Sequence, residues 1–338
     1  MGRMRLLVLG GTGFVGGAVV AEAARRGWSV TVFNRGLHGD VPVGVRRLRG
    51  DRTAPDGLAA LAGGAWDLVV DTWDGAPRAV RDAARVLADA VPHYVYVSSG
   101  SVYAEPVPPG VGEEASTVDA AADAVDGDYP QLKAGGERAA VEVYGERALL
   151  ARAGLILGPG EDIGRLPWWL QRIARGGPVL APGPRDLPLQ YVDARDLAIW
   201  LLDRGAEGVG GAYNVVSRTG HATMGELLDA AVVATGADAS LHWTDPEPIL
   251  AGGVEPWNDL PIWIPSGHPY RWLQERGVER AYAAGLVCRP VAETVADTWR
   301  WLRAVGQVPP RAGRPVRSAV GLDPEREAKL LAGFTPTA

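Results

Sequence analysis

The chain contains one cysteine, Cys288. It can close no internal disulfide and build no cysteine-based metal cluster, which points to a reducing, cytoplasmic setting. Histidine is sparse too: His38, His93, His221, His242 and His268 are scattered without metal-ligand spacing, so no metal is expected. Positive charge is in deficit. With 34 basic against 40 acidic side chains the formal charge is −6, so the footprint of a nucleic-acid binder or of an anionic-membrane binder is missing. There is also no uninterrupted apolar run of the ~18 residues that a membrane span needs. The stretch LLVLGGTGFVGGAVV comes nearest, but glycines interrupt it and no cleavage pattern follows, so it is expected to be core rather than a signal peptide.

What is present has an ordinary globular balance, 47% hydrophobic and 22% charged over 338 residues, enough for two domains or one with an extension. The first half alternates in period. Strands are expected at 5–10, 28–33, within GVRRLRGD, at 66–71 and at 93–100, and helices at 14–26, 55–62 and 76–90. A helix from Tyr129 and a sixth strand in RALLARAGLIL follow a Pro-, Gly- and acid-rich surface loop at 104–127. Strands alternating with helices predict an α/β fold, a doubly wound parallel sheet of the Rossmann type. Beyond residue 160 regularity fades into short helices and Pro-rich turns. The expected organisation is a dinucleotide-binding core over 1–160 and a smaller substrate-binding lobe over 161–308, some of whose elements return to the core. A tail over 309–338 completes it, ending in the short helix DPEREAKLLAG.

Gly10, Gly13 and Gly16 fall between the first strand and first helix in the spacing G-x-x-G-x-x-G. The first glycine permits a tight turn, the second lets a pyrophosphate approach backbone, and the third lets helix and sheet pack closely. The helix N-terminus attracts the anion. An acidic residue at the end of the second strand would bond the ribose of NAD; here neutral Asn34 is followed by Arg35, whose fork suits a 2′-phosphate. NADP(H) is therefore favoured over NAD(H). Asp51, ending the third strand, is placed to reach the adenine edge.

The stretch DGDYPQLKAGGERA sets Tyr129 four positions before Lys133. Alone, the pair is either acid/base machinery or a helix start with a solvated lysine. Four motifs in order supply the context: GGTGFVG, GDR, YVSSGSVY and YPQLK, with LQYVDARDLA and YNVV further on. On these the chain resembles an extended or atypical short-chain dehydrogenase/reductase, of the NAD-dependent epimerase/dehydratase superfamily, over roughly residues 4 to 300. The resemblance implies a catalytic Ser99, Tyr129 and Lys133. Around the cofactor it adds Thr12, Phe14 and Val15 of the glycine turn, Arg52 beside Asp51, and Thr72 after the fourth strand, and it gives Tyr129 and Lys133 a share in holding the nucleotide. The chemistry accounts for the spacing. A phenol with a pKa of about 10 needs a neighbouring cation to act near neutrality, and a lysine one helical turn away supplies it.

Departures from the family pattern bear on the reaction. Gly100-Ser101 stands where sugar-nucleotide dehydratases carry an Asp-Glu pair, which argues against that elimination. Leu155 and Leu189 replace the asparagine and arginine that anchor a nucleotide diphosphate, although Arg152, Arg165 and Arg185 are available to compensate. Ser101, Leu155, Trp168 and Trp169 are the expected substrate contacts. The primary reading is an oxidoreductase acting on a secondary alcohol or ketone of a small, sugar-like or aromatic substrate. The alternative is an epimerase or lyase cycling tightly bound NAD, and a third is a non-catalytic binding protein. A bacterial source and a homodimer built on helices 77–90 and 129–145 are also expected, with neither nucleic acid nor membrane as a partner.

Overall fold

The computed structural model describes residues 3–37, 39–308 and 320–333. Branched apolar runs alternating with amphipathic segments produce β1 (Arg5–Leu9), α1 (Phe14–Arg25), β2 (Ser29–Asn34), β3 (Arg46–Arg49), β4 (Leu68–Asp71), α2 (Pro77–Leu87), β5 (Tyr94–Ser99), α3 (Tyr129–Tyr144) and β6 (Ala148–Ala153). The strand Gly211–Val215 joins them in a seven-stranded sheet. Its order is Gly211–Val215, β6, β5, β4, β1, β2, β3, and every pairing is parallel. Helices cover both faces. α2 and α3 close over Leu7, Leu9, Val69, Tyr94 and Tyr96. On the other face Gly205, in the helix Ala194–Ala206, lets that helix settle directly on Leu68 and Val95. Burial on both sides explains why Leu6 to Leu9 read as one apolar run.

The helix expected at 55–62 is not formed. Only one 3₁₀ turn, Ala59–Leu61, is present. Asp56 takes a φ of 54°, and Gly57 lies so close to the Asp51 carbonyl that a Cβ there would strike it. A segment folded back on itself in this way cannot wind into a helix. The loop at 104–127 is irregular but anchored. Val118 N–H donates to the Val102 carbonyl at 2.8 Å, and the Glu113 carboxylate accepts from Asn214 N–H at 2.8 Å.

The chain separates into two compact units. The first holds the sheet and runs to Gly154, with Ala194–Val216 and Arg276–Val287 returning to it. The second comprises Leu155–Asp193, Ser217–Glu275 and the chain from Cys288 onward. In it α4 (Arg165–Ala174) packs with the helices Met224–Thr235 and Val291–Val305 around Leu166, Trp169, Leu170, Leu227 and Leu228. Residues 309–319 lie outside the described residues. The final helix, Pro324–Gly333, is tied to this unit by a buried ion pair between Arg172 and Glu327. No helix among the described residues is long and apolar enough to cross a membrane.

Candidate active site

Strand order reverses between β1 and β4, and ligands of such sheets bind where the carboxyl ends of the reversing strands part. Gly10 follows β1 there with a φ of 98°, and a Cβ on it would stand 2.5 Å from Thr72 Oγ1 at the end of β4. Thr72 in turn donates to the Leu9 carbonyl at 3.0 Å. Gly16 is pressed against the Gly10 carbonyl, which fixes the start of α1 against the turn. Gly13 is different. It is exposed, and a Cβ on it would meet nothing closer than the Gly10 carbonyl at 3.9 Å. The protein itself leaves room for a side chain at Gly13, so no contact among the described residues requires glycine there. α1 also has no side-chain cap and no acidic residue in its first turn. Its N-terminal amides, with Thr12, Phe14 and Val15 around them, are therefore suited to an anion, and the turn fits a dinucleotide pyrophosphate.

At the end of β2, Asn34 donates to Thr12 Oγ1 at 3.2 Å and accepts from Gly36 N–H at 3.0 Å, closing the turn that presents Arg35. Arg35 is exposed and makes no hydrogen bond or ion pair among the described residues. Asp51 lies near enough to feel it. The Thr53 hydroxyl and amide hold the Asp51 carboxyl below the usual carboxylate range, and the charge of Arg35 adds to the effect. Arg52 corrects an expectation. Its guanidinium forms a buried bidentate pair with Asp71 at 2.7 and 2.8 Å and donates to the Ala79 carbonyl, so its side chain is committed internally rather than to a cofactor.

Ser99 ends β5. Its hydroxyl accepts from Ser101 N–H at 3.1 Å and donates to Ser101 Oγ at 3.2 Å, so it caps the turn Gly100–Val102 while staying half-exposed. Ser98 points the opposite way and is used, donating to Glu137 Oε1 at 2.6 Å. Asp128 and Gln131 form a reciprocal capping box at 2.9 and 3.1 Å that starts α3 at Tyr129. Tyr129 keeps 39% of its surface exposed. Lys133, one turn on, is buried at 3%. Its ammonium donates to the carbonyls of Trp73 and Val97, both at 2.7 Å, and lies 4.8 Å from the Tyr96 ring centroid. An ammonium carries three donors, so two are spent on holding the lysine at the ends of β4 and β5.

Two buried groups escaped the sequence reading. Glu137, four residues after Lys133, pairs with Arg152 at 2.9 Å and with Ser98, locking α3 to β5 and β6. Arg152 is thereby used inside the first unit. Asp71 joins Arg52 to Tyr94 and accepts from Trp73 N–H at 3.0 Å, which sets the loop whose carbonyl receives Lys133. The Glu137 spacing, one more turn along the Lys133 face, was a usable signal; Asp71 carried none.

In the second unit, Trp169 is fully buried and donates its indole N–H to the Pro261 carbonyl at 2.7 Å. It is a core residue, which corrects its expected place against substrate. Trp168 packs edge-on to it at 4.7 Å and lies over Gly321. Leu155 is 5% exposed in the same core. Glu161 caps α4 by accepting from the amides of Arg165 and Leu166, and burial pushes its carboxyl up to about 7.

The chain matches the family described as "NAD dependent epimerase/dehydratase family" over residues 6–215. It is 30% identical over 256 residues to the 2-alkyl-3-oxoalkanoate reductase of Stenotrophomonas maltophilia, a match covering 69% of this chain and 76% of that protein. A putative epimerase from Burkholderia cenocepacia superposes with a TM-score of 0.67 at 20% identity, over 90% of this chain and 100% of the other. The UDP-glucose 4-epimerase of Thermus thermophilus, in complex with NAD, gives 0.59 at 23% identity, over 89% and 99%. At such identities the two structures speak for the fold.

Proposed function

Because the chain belongs to the NAD-dependent epimerase/dehydratase family and is an enzyme of nicotinamide-dependent oxidoreductase or epimerase chemistry, we propose that it reduces a ketone, or oxidises the matching secondary alcohol, with exchangeable NADP(H). The observation that carries the reading is the Lys133 ammonium, buried and clamped by two carbonyls one turn from Tyr129, which begins the helix. A cation so held serves little structural purpose that a neutral side chain would not. It does serve a phenol that must part with a proton.

Bound nicotinamide would supply the hydride to the carbonyl carbon, or take it back in the reverse direction. Ser99 donates a hydrogen bond to the substrate oxygen and orients it. Tyr129 gives its phenolic proton to that oxygen, so the carbonyl becomes a hydroxyl and the phenolate is left facing the lysine. The third donor of Lys133 is available to that phenolate or to the nicotinamide ribose. Solvent returns the proton to Tyr129, whose surface is 39% exposed.

Two features support a reductase over an internal epimerase cycle: Arg35, exposed just past the end of β2, whose fork would suit a 2′-phosphate, and a 30% identical relative that is itself a reductase. The test begins with the protein as purified, which would be denatured so that any released nucleotide can be identified with its redox state. An empty site that then binds NADPH more tightly than NADH supports the reading. Stoichiometric bound NAD⁺ overturns it in favour of the epimerase. In Arg35→Ser, the NADPH/NADH ratio of kcat/KM should fall about 10- to 100-fold, the scale of one lost charge-assisted phosphate contact. An unchanged ratio would remove Arg35 from cofactor choice.

The Gly13 cradle gives a separate prediction. Its φ of −87° suits any residue, and there is space for a side chain. Gly13→Val should therefore melt close to the parent protein yet bind NADPH at least ~10-fold more weakly, because the pyrophosphate loses its approach to the backbone. Equal affinity in a fluorescence titration would show that the phosphates lie elsewhere.

A further inference from the structure

Arg49 ends β3, the edge strand of the sheet, and takes no part in the chemistry above. β3 runs parallel to β2, with Arg49 opposite Asn34 and Arg47 opposite Val32. Paired residues of neighbouring strands present their side chains to the same face. Arg49 therefore shares the face on which Asn34 Nδ2 reaches Thr12 of the glycine turn at 3.2 Å. Its side chain is laid against the turn that follows β2. A Cβ at Gly36 would stand 2.9 Å from Arg49 Nε and 3.4 Å from its Cζ, and Gly36 has a φ of 72°. Arg47, two residues back on the same face, is committed elsewhere, donating from Nη2 to the Gly39 carbonyl at 2.6 Å. Arg35, immediately before Gly36, and Arg49 are both exposed, and neither makes a hydrogen bond or ion pair among the described residues. The Asp51 carboxylate feels the charge of Arg35 but pairs with neither arginine; it accepts from the Thr53 hydroxyl and amide at 2.7 and 3.0 Å. Charges on an edge strand discourage edge-to-edge pairing, and that accounts for the exposed Arg46 on the opposite face. It gives no reason for laying the Arg49 guanidinium along a glycine beside Arg35, where like charges repel.

We propose that Arg49 and Arg35 form a two-guanidinium receptor for a phosphate monoester, the 2′-phosphate of the cofactor, which makes Arg49 a second determinant of cofactor choice. A guanidinium fork meets two phosphate oxygens through parallel N–H donors. Arg35 would reach the monoester from the end of β2 and Arg49 from the end of β3, with Gly36 between them. A dianion held there turns the repulsion of two neighbouring cations into two attractions, whereas a bare 2′-hydroxyl leaves the repulsion in place. The same arrangement explains Gly36 beyond its φ: any side chain on it would push the Arg49 guanidinium off the turn. The inference rests on the NADP(H) reading given above.

The experiment measures the dissociation constants of NADPH and NADH by fluorescence titration in the parent protein, Arg49→Ser, Arg49→Lys, and Arg35→Ser combined with Arg49→Ser. Arg49→Ser should weaken NADPH about 10-fold, the lower end of the scale for a charge-assisted contact. NADH should stay within about twofold, as for an ordinary surface substitution. Arg49→Lys should recover part of the loss, since it keeps the charge without the fork. The double variant should bind the two nucleotides alike. Added salt should narrow the preference of the parent for NADPH and have no preference left to narrow in the double variant. An Arg49→Ser that keeps the parent's preference overturns the receptor and leaves the NADP(H) reading standing, with Arg35 choosing the cofactor alone. An Arg49→Ser that weakens both nucleotides by one factor also overturns it, the mark of an arginine that only props the turn. A parent that binds NADH as tightly as NADPH overturns the NADP(H) reading itself, and the receptor with it.

Discussion

Tyr129→Phe should fold, bind NADPH with little change and lose about 10²- to 10⁴-fold in kcat, the usual contribution of a positioned acid/base. Folding should survive because the phenol is 39% exposed and its hydroxyl makes no hydrogen bond among the described residues. The helix start does not depend on it either, since the capping box is made by Asp128 and Gln131. What the variant lacks is the proton for the substrate oxygen. Lys133 would stay in place, held by Trp73 and Val97, with no phenolate to stabilise. A Tyr129→Phe enzyme that kept its turnover would end the assignment of Tyr129, and with it the mechanism. A variant that lost NADPH binding in step with turnover would instead make Tyr129 a cofactor contact, so titration and turnover have to be measured on the same preparation.

Local signals were legible in the sequence to the extent that their physics is local. The glycine turn could be read because Gly16 answers to the Gly10 carbonyl within the same strand-turn-helix unit, although Gly10 itself answers to Thr72 at the end of β4. The start of α3 could be read because Asp128, Pro130 and Gln131 are all within one turn of Tyr129. Features that depend on distant partners were not legible. Arg52 follows Asp51 in a cofactor motif, but its charge is claimed by Asp71 across 19 positions. Trp169 sits in a tryptophan-rich segment that suits a substrate pocket equally well on paper; only the Pro261 carbonyl, 92 residues on, identifies it as core. The helix expected at 55–62 failed because Gly57 is drawn onto the Asp51 carbonyl, which no periodicity reveals. Gly100 was read as an absence, the missing acid of a dehydratase. Its physical meaning is space for the Arg276 guanidinium, with which a Cβ at Gly100 would coincide, and nothing in the linear order joins those two positions.

The second large effect is expected at Asp71, away from the reacting atoms. Asp71 is fully buried at the end of β4 and accepts from both arms of Arg52, from Tyr94 at 2.5 Å and from Trp73 N–H at 3.0 Å. Burial opposes the charge on Arg52, and the neighbouring Asp71 outweighs it, so the guanidinium is held above its usual pKa and stays charged. Asp71→Ala would strand that cation in the core, a loss of about 3–5 kcal/mol for one broken buried pair. Against the ~5–15 kcal/mol that holds a typical domain together, this is a large share, and the melting temperature should drop by on the order of 10 °C. Removing both charges should cost less than removing one. Arg52→Met with Asp71→Leu is expected to recover much of the lost stability, since a packed apolar pair avoids desolvation altogether. Recovery of activity should lag behind. The Asp71 carboxylate also fixes the Trp73 loop, and the Trp73 carbonyl is one of the two clamps on Lys133. A double variant that melts near the parent temperature yet turns over more slowly would locate the function of Asp71 in holding the lysine. A double variant as unstable as Asp71→Ala alone would show instead that the stranded cation is not the source of the loss.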